Sequence, residues 1–141
     1  MTRHTPVSAV MTHGVRTLDV HAKFSEVRRA LIANEFHHMP IIDGEALVGI
    51  LSWRDLVRAY RTARRGAGTG DAFALDDLLD RTTSIDQVMS KDLVTLRADE
   101  PLERAIDLIA DGHIHSVLVL DEDGKLVGIV TDKDIIAYLA S

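Results

Sequence analysis

The chain repeats itself. Leu47-Val48-Gly49-Ile50-Leu51-Ser52-Trp53-Arg54-Asp55 is echoed by Leu126-Val127-Gly128-Ile129-Val130-Thr131-Asp132-Lys133-Asp134. This duplication is the strongest constraint on the fold, because two like sequences call for two like structures. In both copies an apolar run rich in β-branched residues breaks at a hydroxyl residue, and an aspartate follows three positions later. The run suits a strand buried in a sheet, and a hydroxyl with an acid at i+3 marks a helix start. Each copy therefore reads as a strand passing directly into a helix. Such a junction offers an anion free backbone N–H groups and the positive end of a helix dipole.

The repeat extends well beyond this signature. Val10-Met11 recurs as Val88-Met89, Thr17-Leu18 as Thr95-Leu96, His37 as His115 and Asp43 as Asp121, all at one constant spacing. By Gly49 and Gly128 the spacing has grown by a single residue, where Asp121-Glu122-Asp123-Gly124 replaces the shorter Asp43-Gly44-Glu45. Exposed turns tolerate such insertions best. Each copy begins with a short helical turn ending at Met11 or Met89, the second capped by Ser84. An extended piece follows, at 15–18 or 93–96. The next helix carries Leu102, Ala105, Ile106 and Ile109 on one face, with Pro101 in its first turn. Its counterpart carries Phe24, Val27 and Leu31. Asn34 and Gly112 sit just past these helices as C-terminal caps. Hairpin strands come next, 39–42 with 47–51 and 117–120 with 126–130. The closing helices bear Leu56, Val57 and Tyr60, or Ile135, Ile136 and Leu139.

The expected fold class is therefore α+β, with two β-α-β-β-α motifs at residues 7–60 and 84–140. Neither motif is long enough to bury much core alone. The economical solution packs them sheet to sheet with pseudo-twofold symmetry. Residues 61–83 read as a linker, basic at Arg61, Arg64 and Arg65, glycine-rich through Gly66 to Gly70 and acidic at Asp76, Asp77 and Asp80. Leu75, Leu78 and Leu79 suggest a short amphipathic helix there.

Composition narrows the function classes. Aromatics make up 4% of the chain, so the core must be aliphatic. Lys plus Arg number 16 against 22 Asp plus Glu, a net charge of −6, which argues against a general nucleic-acid binder but leaves room for a local basic pocket. With no cysteine, disulfides, thiolate metal sites and cysteine nucleophiles are excluded. No apolar stretch reaches membrane-spanning length and the first residues lack an apolar signal core, so a cytoplasmic location with no membrane partner is expected. No Gly-x-Ser-x-Gly elbow, phosphate loop or His-Glu-x-x-His occurs, so the chain does not read as an enzyme.

The recurring Val-Met, Thr-Leu, Asp-turn and Gly-x-x-Ser/Thr-x-x-Asp landmarks resemble the cystathionine-β-synthase (CBS) domain family, as a stand-alone tandem pair. The resemblance covers about residues 7–60 and 84–140. It implies a disc-like module with a cleft between the motifs that takes an adenine nucleotide (AMP, ADP or ATP, with S-adenosylmethionine and dinucleotides also known in the family). It also implies a homodimer of modules and a regulatory role toward an effector protein. No cofactor is required; the nucleotide is the regulatory ligand. On this resemblance Asp55 and Asp134 hold ribose hydroxyls, Ser52 and Thr131 contact phosphate, and Thr17 and Thr95 lie near the cleft. Phe36-His37-His38-Met39-Pro40 is similar to an Ile-His-Arg-Leu-Pro segment that reaches phosphate in a kinase regulatory subunit, which makes His37 and His38 candidates. Ile114-His115-Ser116-Val117-Leu118 keeps only the histidine, His115, so the two clefts are expected to be unequal.

Each candidate has a plainer reading. Ser52-x-x-Asp55 and Thr131-x-x-Asp134 also fit capping boxes, which stabilise a helix by about 1 kcal/mol without any ligand. Arg54 and Lys133 either screen a phosphate or are ordinary exposed cations. The histidine pairs His37-His38 and His113/His115 have metal-like spacing but no neighbouring carboxylate to complete a set, so no metal is assigned. Trp53 suits either an adenine ring or a dimer partner. Three functions stay open: a nucleotide-sensing regulatory module, a ligand-free dimerisation scaffold, and an accessory subunit of a separate enzyme or transporter.

Overall fold

The computed structural model describes residues 5–33, 37–68, 70–112 and 114–141. After a helical turn at Val7–Ala9 come strands β1 (Thr12–His13) and β2 (Leu18–Asp19), helix α1 (Phe24–Ala33), strands β3 (His38–Asp43) and β4 (Ala46–Ser52), and helix α2 (Trp53–Ala67). Helix α3 (Ala72–Thr82) and the single turn α4 (Ile85–Val88) lead into the second copy. That copy contains β5 (Thr95–Arg97), α5 (Leu102–Ala110), β6 (Ser116–Leu120), β7 (Leu126–Thr131) and α6 (Asp132–Ala140). The fold is α+β with two sheets, ordered β2-β3-β4 and β1-β7-β6-β5. In each, a parallel pair (β2 with β3, β5 with β6) is bridged by a helix, and an antiparallel hairpin follows.

Two compact units result, and they are offset from the sequence repeats. The first is Arg16–Asp92; the second joins Leu93–Ser141 to Val15 and the residues before it. In the second unit β1 pairs antiparallel with β7, Thr12 opposite Ile129 and His13 opposite Gly128. In the first, Ser90 bridges Ile50 through two backbone hydrogen bonds of 2.9 and 3.0 Å. The lead-in segment at the head of each repeat thus packs on the sheet of the other repeat's sequence.

The repeated Val-Met and Gly landmarks explain this contact. A Cβ on Gly49 would lie 2.3 Å from the Met89 sulfur, and one on Gly128 would lie 2.2 Å from that of Met11. Each glycine is the flat floor on which a methionine from the lead-in segment rests. The thioether's flexibility suits it to that shallow gap.

The cores are aliphatic. Phe24, Val27, Leu31, Met39, Ile41, Leu51, Leu56, Leu75, Leu79, Ile85 and Met89 are buried in the first unit. Val7, Met11, Leu96, Leu102, Ala105, Val117, Val119, Val130 and Ile135 fill the second. Fully burying one such side chain is worth about 1.5–3 kcal/mol. The turn glycines Gly44 (φ 64°) and Gly124 (φ 80°) close the hairpins in the left-handed conformation.

Several local expectations change. Of the stretch 61–83, the basic part continues α2, which runs to Ala67 and caps at Gly68 (φ 69°), while the short amphipathic helix expected around Leu75, Leu78 and Leu79 is present as α3, beginning at Ala72. Ala59 and Ala63 extend the buried face of α2, and this packing absorbs the roughly 1 kcal/mol cost of a helical glycine at Gly66. Pro101 is the N-cap of α5 rather than a first-turn residue. Gly112 has φ 89°, as a C-terminal residue of this kind should; Asn34, its counterpart, lies outside the described residues. Leu56 and Ile135 are buried, whereas Val57, Ile136 and Leu139 are about two-thirds exposed (66%, 66% and 64%).

Candidate functional site

Both strand-to-helix junctions form capping boxes. At the first, the Ser52 N–H donates to Asp55 Oδ2 at 2.9 Å and the Asp55 N–H donates to Ser52 Oγ at 3.1 Å. At the second, the Thr131 N–H donates to Asp134 Oδ2 at 2.9 Å and the Asp134 N–H donates to Thr131 Oγ1 at 3.4 Å. The capping reading is thus realised twice, and any ligand role for these residues is additional to it.

The two junctions differ in the aspartate's other oxygen. Asp134 Oδ1 accepts a 2.8 Å hydrogen bond from Thr12 Oγ1, and the Thr131 hydroxyl donates to Oδ2 at 3.2 Å. Among the described residues nothing donates to Asp55 Oδ1. Thr12 was not among the sequence candidates. Its signal was a hydroxyl directly after each repeated methionine, Thr12 and Ser90; in the latter case Ser90 Oγ accepts from the Asp92 N–H at 3.4 Å.

Around the first junction the structure gathers several candidates at one end of a sheet. His38 opens β3 and is paired in register with Ser52 at the end of β4. His37, just before it, accepts the Trp53 N–H through its carbonyl at 3.0 Å, and the two rings stack with centroids 4.3 Å apart and planes 15° apart. Trp53 therefore has a ring partner within its own unit while remaining partly exposed. Thr17 precedes β2, which runs parallel to β3 and so starts from the same sheet end. His37 is exposed; Thr17, His38, Ser52 and Asp55 are half-buried.

The second unit repeats the arrangement with fewer polar groups. Ser116, in register with Thr131, stands where His38 stands in the first unit. His115 is exposed immediately before β6, Thr95 is exposed at the start of β5, and Lys133 is exposed on the first turn of α6. Among the described residues no three His, Asp or Glu side chains gather as a metal would require.

The first unit also contains an ionised cluster that the sequence reading missed. Arg28 Nη2 of α1 donates to Asp76 Oδ2 of α3 at 2.7 Å, and the Tyr60 hydroxyl of α2 donates to the other Asp76 oxygen. Burial acts to raise the Asp76 pKa, but the Arg28 and Tyr60 hydrogen bonds together outweigh it and hold the carboxyl below its ordinary range. Burial, then the Asp76 bond, push the Tyr60 phenol up. The cluster fastens α3 to α1 and α2, and no residue of it belongs to a junction.

Twin sheets, each ending in a capped helix, with glycine-seated methionines exchanged between repeats, define a duplicated α+β module. The chain belongs to the CBS domain family, whose model matches residues 7–62 and 85–141. It is 27% identical over 133 residues to a homoserine O-acetyltransferase of Methanohalobium evestigatum, covering 94% of this chain but only 24% of that protein. The chain thus spans about a quarter of that enzyme's length. Among solved structures it is similar to the CBS domain pair of protein MJ0100 in complex with 5′-methylthioadenosine and S-adenosylmethionine (25% identity, TM-score 0.75, 97% of each chain). It is also similar to the cytosolic domain of the Mg2+ channel MgtE in complex with ATP (25% identity, TM-score 0.69), covering 96% of this chain and 50% of that one.

Proposed function

We propose that this CBS pair is a non-catalytic regulatory module that senses an adenine nucleotide or related adenosine compound. The compounds named for MJ0100 and MgtE share an adenosine moiety, and that common part is what the junctions suit. The observation that carries the reading is that, among the described residues, nothing donates to Asp55 Oδ1. Its partner oxygen completes the capping box, so the carboxylate can accept a ribose hydroxyl without uncapping α2. Ser52 Oγ and the α2 N-terminus favour a phosphate beside it, and His37 and His38 flank that position. At Asp134 a ribose hydroxyl must share the carboxylate with Thr12, so the first junction is the stronger site. Binding regulates only through differential affinity for two states of the protein or of its assembly.

A thermal-shift panel of AMP, ADP, ATP, S-adenosylmethionine and 5′-methylthioadenosine tests this. A ligand at 100 times its Kd adds about 2.7 kcal/mol, readily visible as a rise in Tm. No rise with any of them at millimolar concentration overturns the reading.

A scaffold reading has its own support in the exposed Val57, Ile136 and Leu139 on the closing helices, which suit a second copy of the chain. Under that reading Val57→Glu with Ile136→Glu converts a dimer to a monomer in light scattering, while each unit stays folded by circular dichroism.

A further inference from the structure

Helix α2 carries Arg54, Arg58, Arg61, Arg64 and Arg65, all exposed. At 100° per residue, Arg54, Arg58, Arg61 and Arg65 fall on one stripe opposite the buried Leu56, Ala59 and Ala63. None of the five guanidinium groups forms an ion pair or hydrogen bond with a described residue. Like charges three and four residues apart oppose helix formation. Complementing the helix dipole accounts for Arg64 and Arg65 in the last turn, but not for Arg54 and Arg58 at the opposite end. Helix α6, which follows the equivalent junction, has no arginine. The basic face is therefore private to α2.

At its C-terminal end this face becomes concave. Arg61, Arg64, Arg65, Gly68 and Gly70 line an open cavity of about 580 Å³, within the size range of small-molecule sites, roughly 300–1,000 Å³. Gly70 lies beside the Arg64 side chain, its Cβ position 3.7 Å from Nε, an ordinary contact distance. We propose that this cavity binds a compact anion bearing two or more phosphate groups, at a site separate from both strand-to-helix junctions. Guanidinium forks match phosphate oxygens in bidentate fashion, and three full charges exceed the half-charge of opposite sign at the helix C-terminus. The net charge of −6 on the whole chain disfavours a long polyanion and favours a compact one.

Titration of the full chain with inorganic tripolyphosphate is the test. Binding is expected at low salt and weakens as salt rises. The triple variant Arg61→Ala, Arg64→Ala, Arg65→Ala loses roughly tenfold or more in affinity, and the corresponding Arg→Lys variant, which keeps charge but not the fork, loses less. These side chains are exposed, so circular dichroism and melting should show both variants folded. The triple alanine variant leaves AMP binding within about twofold, because it touches neither junction. No binding to the unaltered chain, equal binding to the triple alanine variant, or displacement of tripolyphosphate by AMP would each overturn the proposal. Because its readout is tripolyphosphate, the test remains decisive even if no adenosine compound binds. Flotation with phosphatidylcholine vesicles carrying a phosphoinositide distinguishes a lipid headgroup from a soluble oligophosphate as the source.

Discussion

Asp55 and Asp134 occupy equivalent positions, yet one hydroxyl separates their chemistry. Thr12 donates to Asp134 Oδ1, whereas among the described residues nothing donates to Asp55 Oδ1. Asp55→Asn keeps an acceptor for the cap, so it should cost less than about 1 kcal/mol in urea denaturation. If Asp55 holds ribose, the same change removes a charged hydrogen bond worth about 1.5–3 kcal/mol, roughly 10- to 100-fold in nucleotide affinity by calorimetry. Equal, small effects on both quantities would leave Asp55 a cap alone. Asp76 makes a different demand. Its carboxyl pKa is lowered in the folded state, so its stabilisation is fully present above the unfolded value near 3.9 and is lost as pH falls through the lower folded value. Asp76→Asn should destabilise the first unit by about 1–3 kcal/mol at neutral pH, and the difference from the unaltered protein should shrink in acid melts below about pH 4. A pH-independent difference would place the cost in packing rather than in the ion pair. The Tyr60 phenol titrates the other way: with its pKa raised, its contribution fades as pH rises above about 10.

Among the elements, the hairpins and helices follow their local signals closely. Alternation, turn glycines and capping boxes act between residues a few positions apart, so the sequence carries them openly. The lead-in segments are the exception. Val10-Met11 and Val88-Met89 stand out as repeats, but their role depends on glycines far along the chain. Gly49→Ala pushes a Cβ into Met89, and Gly128→Ala does the same to Met11. Such overpacking should cost about 1–3 kcal/mol. The cost should fall when Met89→Ala accompanies Gly49→Ala, a coupling that a double-mutant cycle in urea reads directly. Simple additivity would mean that the methionine does not rest on the glycine in solution. The stretch between the repeats shows the same dependence on packing. Its glycines read as a linker, but Ala59 and Ala63 bury one side of α2 and carry the helix past Gly66.

For the whole molecule, the two compact units predict that the unit rather than the repeat is the folding piece. The fragment 16–92 retains the core that includes Ile85 and Met89 and should give a cooperative melt by circular dichroism. The fragment 84–141 lacks Val7, Met11 and strand β1 and should melt without cooperativity or remain unfolded, because a shortened small domain cannot offset its chain entropy. The reverse result would show that each repeat is self-sufficient. What the sequence determined by itself is the local grammar: strands, turns, capped helices, and two copies of one motif with an acid and a hydroxyl at each junction. Tertiary structure alone decided which sheet each lead-in segment completes, that Thr12 reaches Asp134, and that Arg28, Asp76 and Tyr60 meet. The physical reason is range. Periodicity and capping act within a turn or two, whereas these contacts are chosen by burial and charge pairing between segments that only the finished fold brings together.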